Sequence, residues 1–144
     1  MPSPTDLCTA AKVRRLSRRV SQIYDEALAA HGLSIGQFGL LACLSRRRGL
    51  SISALAELTS ADASTISRLV KPLAGNGLLR IETDVADRRS RLVWLTDAGH
   101  SRRAVAQAGW HTAQTDVAQR LGEGRLAALR FLLDEAHDKL ESAQ

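Results

Sequence analysis

Apolar residues recur every three or four positions through the first half of the chain, which is the spacing of one face of an α-helix. The first such stripe ends before Gly32, a residue type that commonly stops helices. Residues able to cap a helix precede the next three apolar stretches, at Ser34, Ser51 and Asp62. The pattern therefore predicts four helices, over residues 6–30, 34–45, 52–58 and 63–74. The basic stretch 46–49 is interpreted as the end of the second helix, where cations oppose the helix dipole.

The pattern changes between residues 78 and 96, which contain two short stretches rich in apolar and β-branched residues, 78–83 and 91–96. A polar connection separates the two stretches, so we expect a β-hairpin. Helical spacing returns at Asp97, and the pattern predicts two further helices, over residues 97–120 and 125–141. The expected fold is mainly α, with six helices and one two-stranded hairpin.

The third and fourth helices have the spacing of a helix-turn-helix. Ala56 is small enough to lie where two crossing helices approach most closely, and residues 59–61 can form the compact turn. The apolar residues expected to face the partner helix are Leu55, Ala61, Ile66 and Leu69. Ser60 occupies a turn position where Gly is usual, so a positive φ there would bring local strain.

The outer face of the fourth helix carries small, hydroxylic and basic side chains. They are Ala63, Ser64, Thr65, Ser67, Arg68 and Lys71. Such a surface can approach the floor of a DNA major groove, where an arginine can bond guanine N7 and O6. Because a hairpin follows this helix-turn-helix, the sequence predicts a winged helix that binds double-stranded DNA.

The connection between the two predicted strands carries the segment "DRRSR", which begins at Asp87. As the tip of a wing, this segment would lie beside a minor groove, whose negative potential attracts arginine. We expect Asp87 to hold the Arg89 guanidinium by a charge-assisted hydrogen bond, with Arg88 and Arg91 adding positive charge.

Composition changes this interpretation little. The 144 residues suffice for one domain, and 44% apolar with 3% aromatic content favours helices packed through aliphatic side chains. There are 20 Lys+Arg against 15 Asp+Glu, and the pI near 10.0 suits a polyanionic partner. No stretch is typical of a signal peptide or a membrane span, so we expect a cytoplasmic protein without a membrane partner. Cys8 and Cys43 do not form a disulfide framework, and Cys43 is interpreted as a core thiol.

Three segments together make the chain resemble the MarR family of bacterial transcription regulators over nearly its whole length. They are "IYDEALAAHGLSIGQFGLLACL", "LSISALAELTSADASTISRLVKPLAGNGLL" and the wing segment "DRRSRLVWLTDAG". The resemblance implies one domain over residues 1–144, with dimerisation helices at 6–31 and 97–142, a winged-helix core at 34–96 and a wing at 78–96. It implies a homodimer on a palindromic operator, contacted by Ala63, Thr65, Ser67 and Arg68 of the recognition helix and by Asp87 and Arg89 of the wing.

The resemblance also implies a repressor that is released by a small aromatic or phenolic effector. The candidate walls of the effector pocket are Tyr24, Phe38, Trp110 and His111, with Arg15 or Arg19 as partner of an anion. The alternative is that these residues serve the core or an interface. No cofactor and no metal site are expected.

Three other functions compete with this one. Some family members sense peroxide through an N-terminal cysteine, but Cys8 lies two positions before the matching place, and Arg14 and Ile35 stand where the accompanying tyrosines would be. A winged helix can also bind protein or RNA, although the hydroxylic and basic recognition face favours duplex DNA. An enzyme is not expected, because no phosphate loop, nucleophile elbow or metal-binding His spacing is present.

Overall fold

The computed structural model describes residues 1–143. These residues form seven α-helices, a short 3₁₀ helix at Ala29–His31 and three strands. The helices are α1 (Pro4–Leu7), α2 (Thr9–Leu28), α3 (Ile35–Cys43), α4 (Ile52–Thr59), α5 (Ala63–Gly75), α6 (Asp97–Leu121) and α7 (Glu123–Ser142). The strands are β1 (Leu50–Ser51), β2 (Leu79–Thr83) and β3 (Arg91–Leu95). The mainly helical winged-helix fold predicted from the sequence is confirmed.

The chain divides into two compact units, whose boundaries fall inside α2 and α6. One unit holds Tyr24–Trp110 and therefore contains the helix-turn-helix and the wing. The other holds Met1–Ile23 and the chain from His111 onward. The predicted division into dimerisation helices and a DNA-binding core stays a prediction.

The helix ends in the first of these units follow the local sequence closely. Gly32 has a left-handed φ of 68° and closes the 3₁₀ helix after α2. The hydroxyl of Ser34 accepts the Gln37 N–H, and the hydroxyl of Ser51 accepts the Ala54 N–H. Both contacts satisfy amides that the first turn of a helix leaves without a partner, so the predicted caps are confirmed.

One continuous aliphatic core fills the unit formed by Tyr24–Trp110. Of the residues predicted to face the partner helix, Leu55 and Ile66 are buried in this core, and Ala61 and Leu69 pack against it partly buried. Phe38, Leu41 and Leu44 are buried as well. The other buried members are Leu28, Leu33, Leu40, Val70, Leu73, Leu78, Leu79, Val93, Leu95 and Ala106. This core fixes α5 and the sheet in one unit.

The sheet has three strands in the order β1-β3-β2, and both pairs are antiparallel. Arg80 pairs with Trp94 in the hairpin, and Leu50 pairs with Val93 across the added edge. The expected two-stranded sheet is thus corrected to three strands. The sequence missed β1 because a two-residue strand has no periodicity of its own and owes its form to pairing with β3.

Two helix boundaries also differ from the prediction. The expected helix over residues 6–30 is interrupted at Cys8, which has extended backbone between α1 and α2. Residues 46–49 do not end a helix, because α3 stops at Cys43 and the segment that follows is a bend. There Arg46 forms a 3.0 Å ion pair with Asp97, so this arginine ties the loop to the start of α6.

A backbone joint connects the end of α5, the wing and α6. The Thr96 hydroxyl donates to the Gly77 carbonyl at 2.6 Å and accepts the Gly99 N–H at 3.0 Å. The Thr96 N–H donates to the Leu78 carbonyl. The segment "LTDAG" (95–99), which closes the wing, is therefore a structural joint between the wing and α6.

The other unit leaves much apolar surface exposed. Helix α7 has no buried residue in its described part, although it carries four exposed large apolar side chains, Phe131, Leu132, Leu133 and Leu140. Ala113 and Val117 of α6 are buried. Within residues 1–143, no helix combines the length and apolarity needed to cross a membrane.

Candidate nucleic-acid interface

The turn between α4 and α5 is tight and depends on one residue in a left-handed conformation. Ser60 has φ 51° and ψ 38°, as the sequence suggested for a position where Gly is usual. The Ala61 N–H donates to the Ala56 carbonyl at 3.0 Å and closes the turn. The positive φ of Ser60 costs some local strain, and this strain would be larger for a β-branched residue.

Helix α5 is strongly two-sided. Ile66, Val70 and Leu73 are buried in the core, which directs the opposite face to solvent. Five of the predicted DNA-contacting side chains are exposed, namely Ala63, Ser64, Ser67, Arg68 and Lys71. Thr65 is half-buried. The face that the sequence assigned to DNA is therefore available in this unit.

Asp62 organises the first turn of α5. Its Oδ1 accepts the Thr65 N–H and the Ser64 hydroxyl, both at 2.7 Å. The Ser64 hydrogen bond, followed by that of the Thr65 N–H, lowers the pKa of Asp62 to about 2. The carboxylate is therefore ionised at any physiological pH, and the cap is lost only in strong acid.

Arg68 lies one turn further along the same face. Its Nη2 donates to the Thr65 hydroxyl at 3.4 Å, a long hydrogen bond that a stronger acceptor can replace. The exposed guanidinium is thus held over α5 by a weak contact. This placement leaves its fork of donors free to meet a base edge or a phosphate.

Two consecutive turns at the wing tip are each closed by an aspartate side chain. Asp84 Oδ1 accepts the Ala86 N–H at 2.9 Å, and Asp87 Oδ1 accepts the Arg89 N–H at 3.1 Å. Within the described residues the Asp87 carboxylate accepts the backbone amide two residues ahead, as in an Asx-turn, and no ion pair joins it to the Arg89 guanidinium. This hydrogen bond restrains the backbone of Arg89 and makes no contact with its guanidinium. Asp84 was not among the predicted site residues, although an aspartate at the start of a turn was the available signal.

Two cations from different elements line one groove between α5 and the wing. Lys71 comes from α5 and Arg91 from β3, and Ser67 of α5 also lines the groove. The remaining lining is apolar, from Ile52, Val70, Ala74 and Ile81. At the tip itself Arg88 and Arg89 are exposed, so the predicted basic residues of the wing all reach solvent.

The residues proposed for an effector pocket fall into two groups. Phe38 and Trp110 stack with ring centroids 6.4 Å apart, and Tyr24 packs, half-buried, against the same core. Their role as pocket walls stays a prediction, since this packing is also what a core requires. Arg15, Arg19 and His111 are exposed on their helices, and Arg19 donates to the Gln22 side chain.

The two cysteines lie in different surroundings. Cys43 packs, partly buried, against the core, as predicted, whereas Cys8 is exposed between α1 and α2. Among residues 1–143, no group of three or more His, Cys, Asp and Glu side chains is arranged to hold a metal ion.

Comparison with known proteins identifies the same region. The model of the MarR family matches residues 33–90. The regulator TtmR of Methylorubrum extorquens is 28% identical over 97% of this chain and 72% of its own length. The regulator HosA of Escherichia coli is 31% identical over 49% of this chain, which spans only 52% of HosA.

A solved structure extends the similarity to the whole fold. The Mycobacterium tuberculosis regulator MosR, crystallised in complex with DNA, superimposes with a TM-score of 0.80 at 26% identity. The match covers 95% of this chain and 98% of MosR. The exposed recognition helix and the basic wing agree with these similarities: residues 33–90 match the MarR family, and the fold is that of winged-helix transcriptional regulators of the MarR type.

Proposed function

We propose that the protein is a homodimeric repressor that binds a palindromic operator and is released by a small aromatic or phenolic effector. The observation that carries the proposal is the placement of two basic, exposed elements, α5 and the wing tip, in one unit with a continuous core. A rigid unit can present a helix to the major groove and a wing to the neighbouring minor groove at the same time.

The contacts divide by chemistry. On α5, Arg68 has the planar fork that suits guanine N7 and O6, while Lys71 is a point charge suited to a phosphate. On the wing, Arg88 and Arg89 suit the negative potential of a narrow minor groove. Base contacts would give sequence preference, and phosphate contacts would give position and affinity.

The dimer is supported by the apolar surface of the unit that contains α7. Phe131 is 64% exposed and Leu140 is 74% exposed, which is unusual for a stable monomer. Apolar residues of α2 are exposed as well, including Val13 and Leu16. A second copy would cover this surface and would place two recognition helices about 34–36 Å apart, matching successive major grooves.

Phe131→Asp is expected to weaken the dimer at least about 30-fold, since a buried aromatic residue at an interface is commonly a hot spot. The substitution should leave the helical content unchanged, because the side chain is exposed in the single chain. Sedimentation equilibrium measures the effect. A wild-type chain that stays monomeric at micromolar concentration would contradict the dimer.

The effector is the part of the proposal that rests on the family resemblance and on residue type. An aromatic acid would need apolar walls and one cation, which Tyr24, Phe38 and Trp110, with Arg15 or Arg19, would supply. Thermal-shift measurements with a series of aromatic carboxylates test it, since a ligand of the folded state raises the melting temperature with concentration.

Arg68→Ala and Lys71→Ala are expected to weaken DNA binding in different ways. Loss of a base contact by Arg68→Ala should cost about 1–3 kcal/mol per half-site on the operator and less on random duplex. Loss of a phosphate contact by Lys71→Ala should weaken both duplexes by the same factor. Fluorescence anisotropy at fixed salt compares the two.

Ser67→Ala removes a hydroxyl from the same face without changing the charge, so it measures what the loss of an uncharged contact costs on each duplex. Equal losses of both variants on operator and random DNA would show that Arg68 and Lys71 do not divide the roles in this way. No binding of wild-type protein to any duplex would refute the proposed function.

A further inference from the structure

The hydroxyl of Ser64 donates its single proton in a hydrogen bond within the protein. Ser64 Oγ donates to Asp62 Oδ1 at 2.7 Å, a short hydrogen bond to an ionised carboxylate. Asp62 in turn is held in place because it accepts the Thr65 N–H at the N-cap of α5. A serine hydroxyl has one donor and two acceptor lone pairs, so toward solvent Ser64 offers only acceptors.

We infer that the Ser64 hydroxyl accepts a hydrogen bond from an exocyclic amino group in the major groove, either N6 of adenine or N4 of cytosine. This inference rests on the proposed DNA-binding function and adds a specificity-determining residue to it. These amino groups are the hydrogen-bond donors that a base pair presents in the major groove. Guanine N7 and O6 and thymine O4 are acceptors, and an acceptor-only hydroxyl repels them.

A contact of Ser64 with a phosphate is disfavoured for the same reason. Phosphate oxygens only accept, so Ser64 would have to withdraw its proton from the Asp62 carboxylate to bond one. That exchange leaves the ionised Asp62 with one partner fewer beside a second anion. Asp62 therefore sets the direction of the Ser64 hydrogen bond and excludes the acceptor atoms of the base edges, to which a free hydroxyl could donate.

The position of Ser64 suits a base contact. It lies in the first turn of α5 and is exposed, and the N-terminal residues of a recognition helix are those that contact base edges. Ser67, one turn later on the same face, is exposed and makes no side-chain hydrogen bond within the described part of the chain. Its hydroxyl can rotate to donate or accept, which makes Ser67 the matched control.

The test starts with selection of binding sites by wild-type protein from randomised duplexes. Each adenine or cytosine of the selected half-site is then replaced singly by purine or 2-pyrimidinone, which lack the amino group. Affinities of wild type, Ser64→Ala and Ser67→Ala are measured on each duplex. At one position, removal of the amino group should weaken wild type about threefold to tenfold per half-site and leave Ser64→Ala unchanged.

The outcomes separate this inference from the function on which it rests. A selected consensus with no amino group coupled to Ser64, or coupling of Ser64 to a guanine or thymine, would overturn the inference and leave DNA binding intact. Equal weakening of operator and random duplex by Ser64→Ala would indicate a phosphate contact and overturn it too. Failure of wild type to select any sequence would refute the proposed function, and this inference with it.

Discussion

Gly99→Ala is expected to destabilise the protein by about 3 kcal/mol or more, a large share of the stability of a small domain. Gly99 is buried, and a Cβ at this position would overlap the carbonyl oxygen of Leu78 and press on the Leu95 side chain. Leu78 cannot yield, because its carbonyl accepts the Thr96 N–H between α5 and the wing. The joint would have to open, and α5 and the wing would lose their fixed relation. Thermal and urea unfolding followed by circular dichroism measure the loss.

Gly39→Ala is the matched control for this change. Gly39 lies inside α3, and a Cβ there meets nothing within 4 Å. Helix propensity alone should then stabilise the protein by about 0.5–1 kcal/mol. Opposite signs for the two variants would support the joint. A Gly99→Ala protein as stable as wild type would show that the contact with Leu78 does not matter.

The parts of the fold that depend on neighbouring residues were predictable from the sequence. Caps such as Ser34 and Asp62 act within three residues, and the burial of Ile66 follows from its place on one helix face. The parts that were missed depend on distant partners. The strand β1 exists through Leu50 and its register with Val93, and Arg46 is placed by Asp97. Spacing along the chain carries no sign of such pairs.

The same distinction applies to the candidate interface. Residue type predicted which side chains of α5 face solvent, because amphipathic spacing determines that directly. It did not predict how polar atoms share their hydrogen bonds. Asp87 accepts the Arg89 amide N–H and not the guanidinium, and Asp62 accepts a hydrogen bond from the Ser64 hydroxyl. A nearby backbone or hydroxyl donor can be bonded at a smaller cost in side-chain entropy than the end of a long, flexible arginine.

Arg89→Ala is expected to weaken operator binding about 10- to 100-fold at low salt, since a dimer would lose one minor-groove contact at each wing. The slope of log affinity against log salt should fall by about two, because fewer counterions are released per dimer. The melting temperature should not change, because the residue is exposed at the wing tip. Arg88→Ala removes the same charge from the preceding position. It shows how much of the lost DNA affinity is electrostatic and not specific to Arg89.

Substitutions at Asp87 test whether DNA binding depends on how Arg89 is oriented, because two of them separate the charge of Asp87 from its hydrogen bond. Asp87→Asn removes the charge but keeps an oxygen that can accept the Arg89 N–H, so it should bind DNA as tightly as wild type or more tightly. Asp87→Ala removes both and releases the turn, so it should bind more weakly than Asp87→Asn. In an Arg89→Ala background the difference between the two should vanish, as expected for coupled neighbours. If both substitutions at Asp87 tighten binding equally, Asp87 acts only through its charge, and the Asx-turn does not position Arg89.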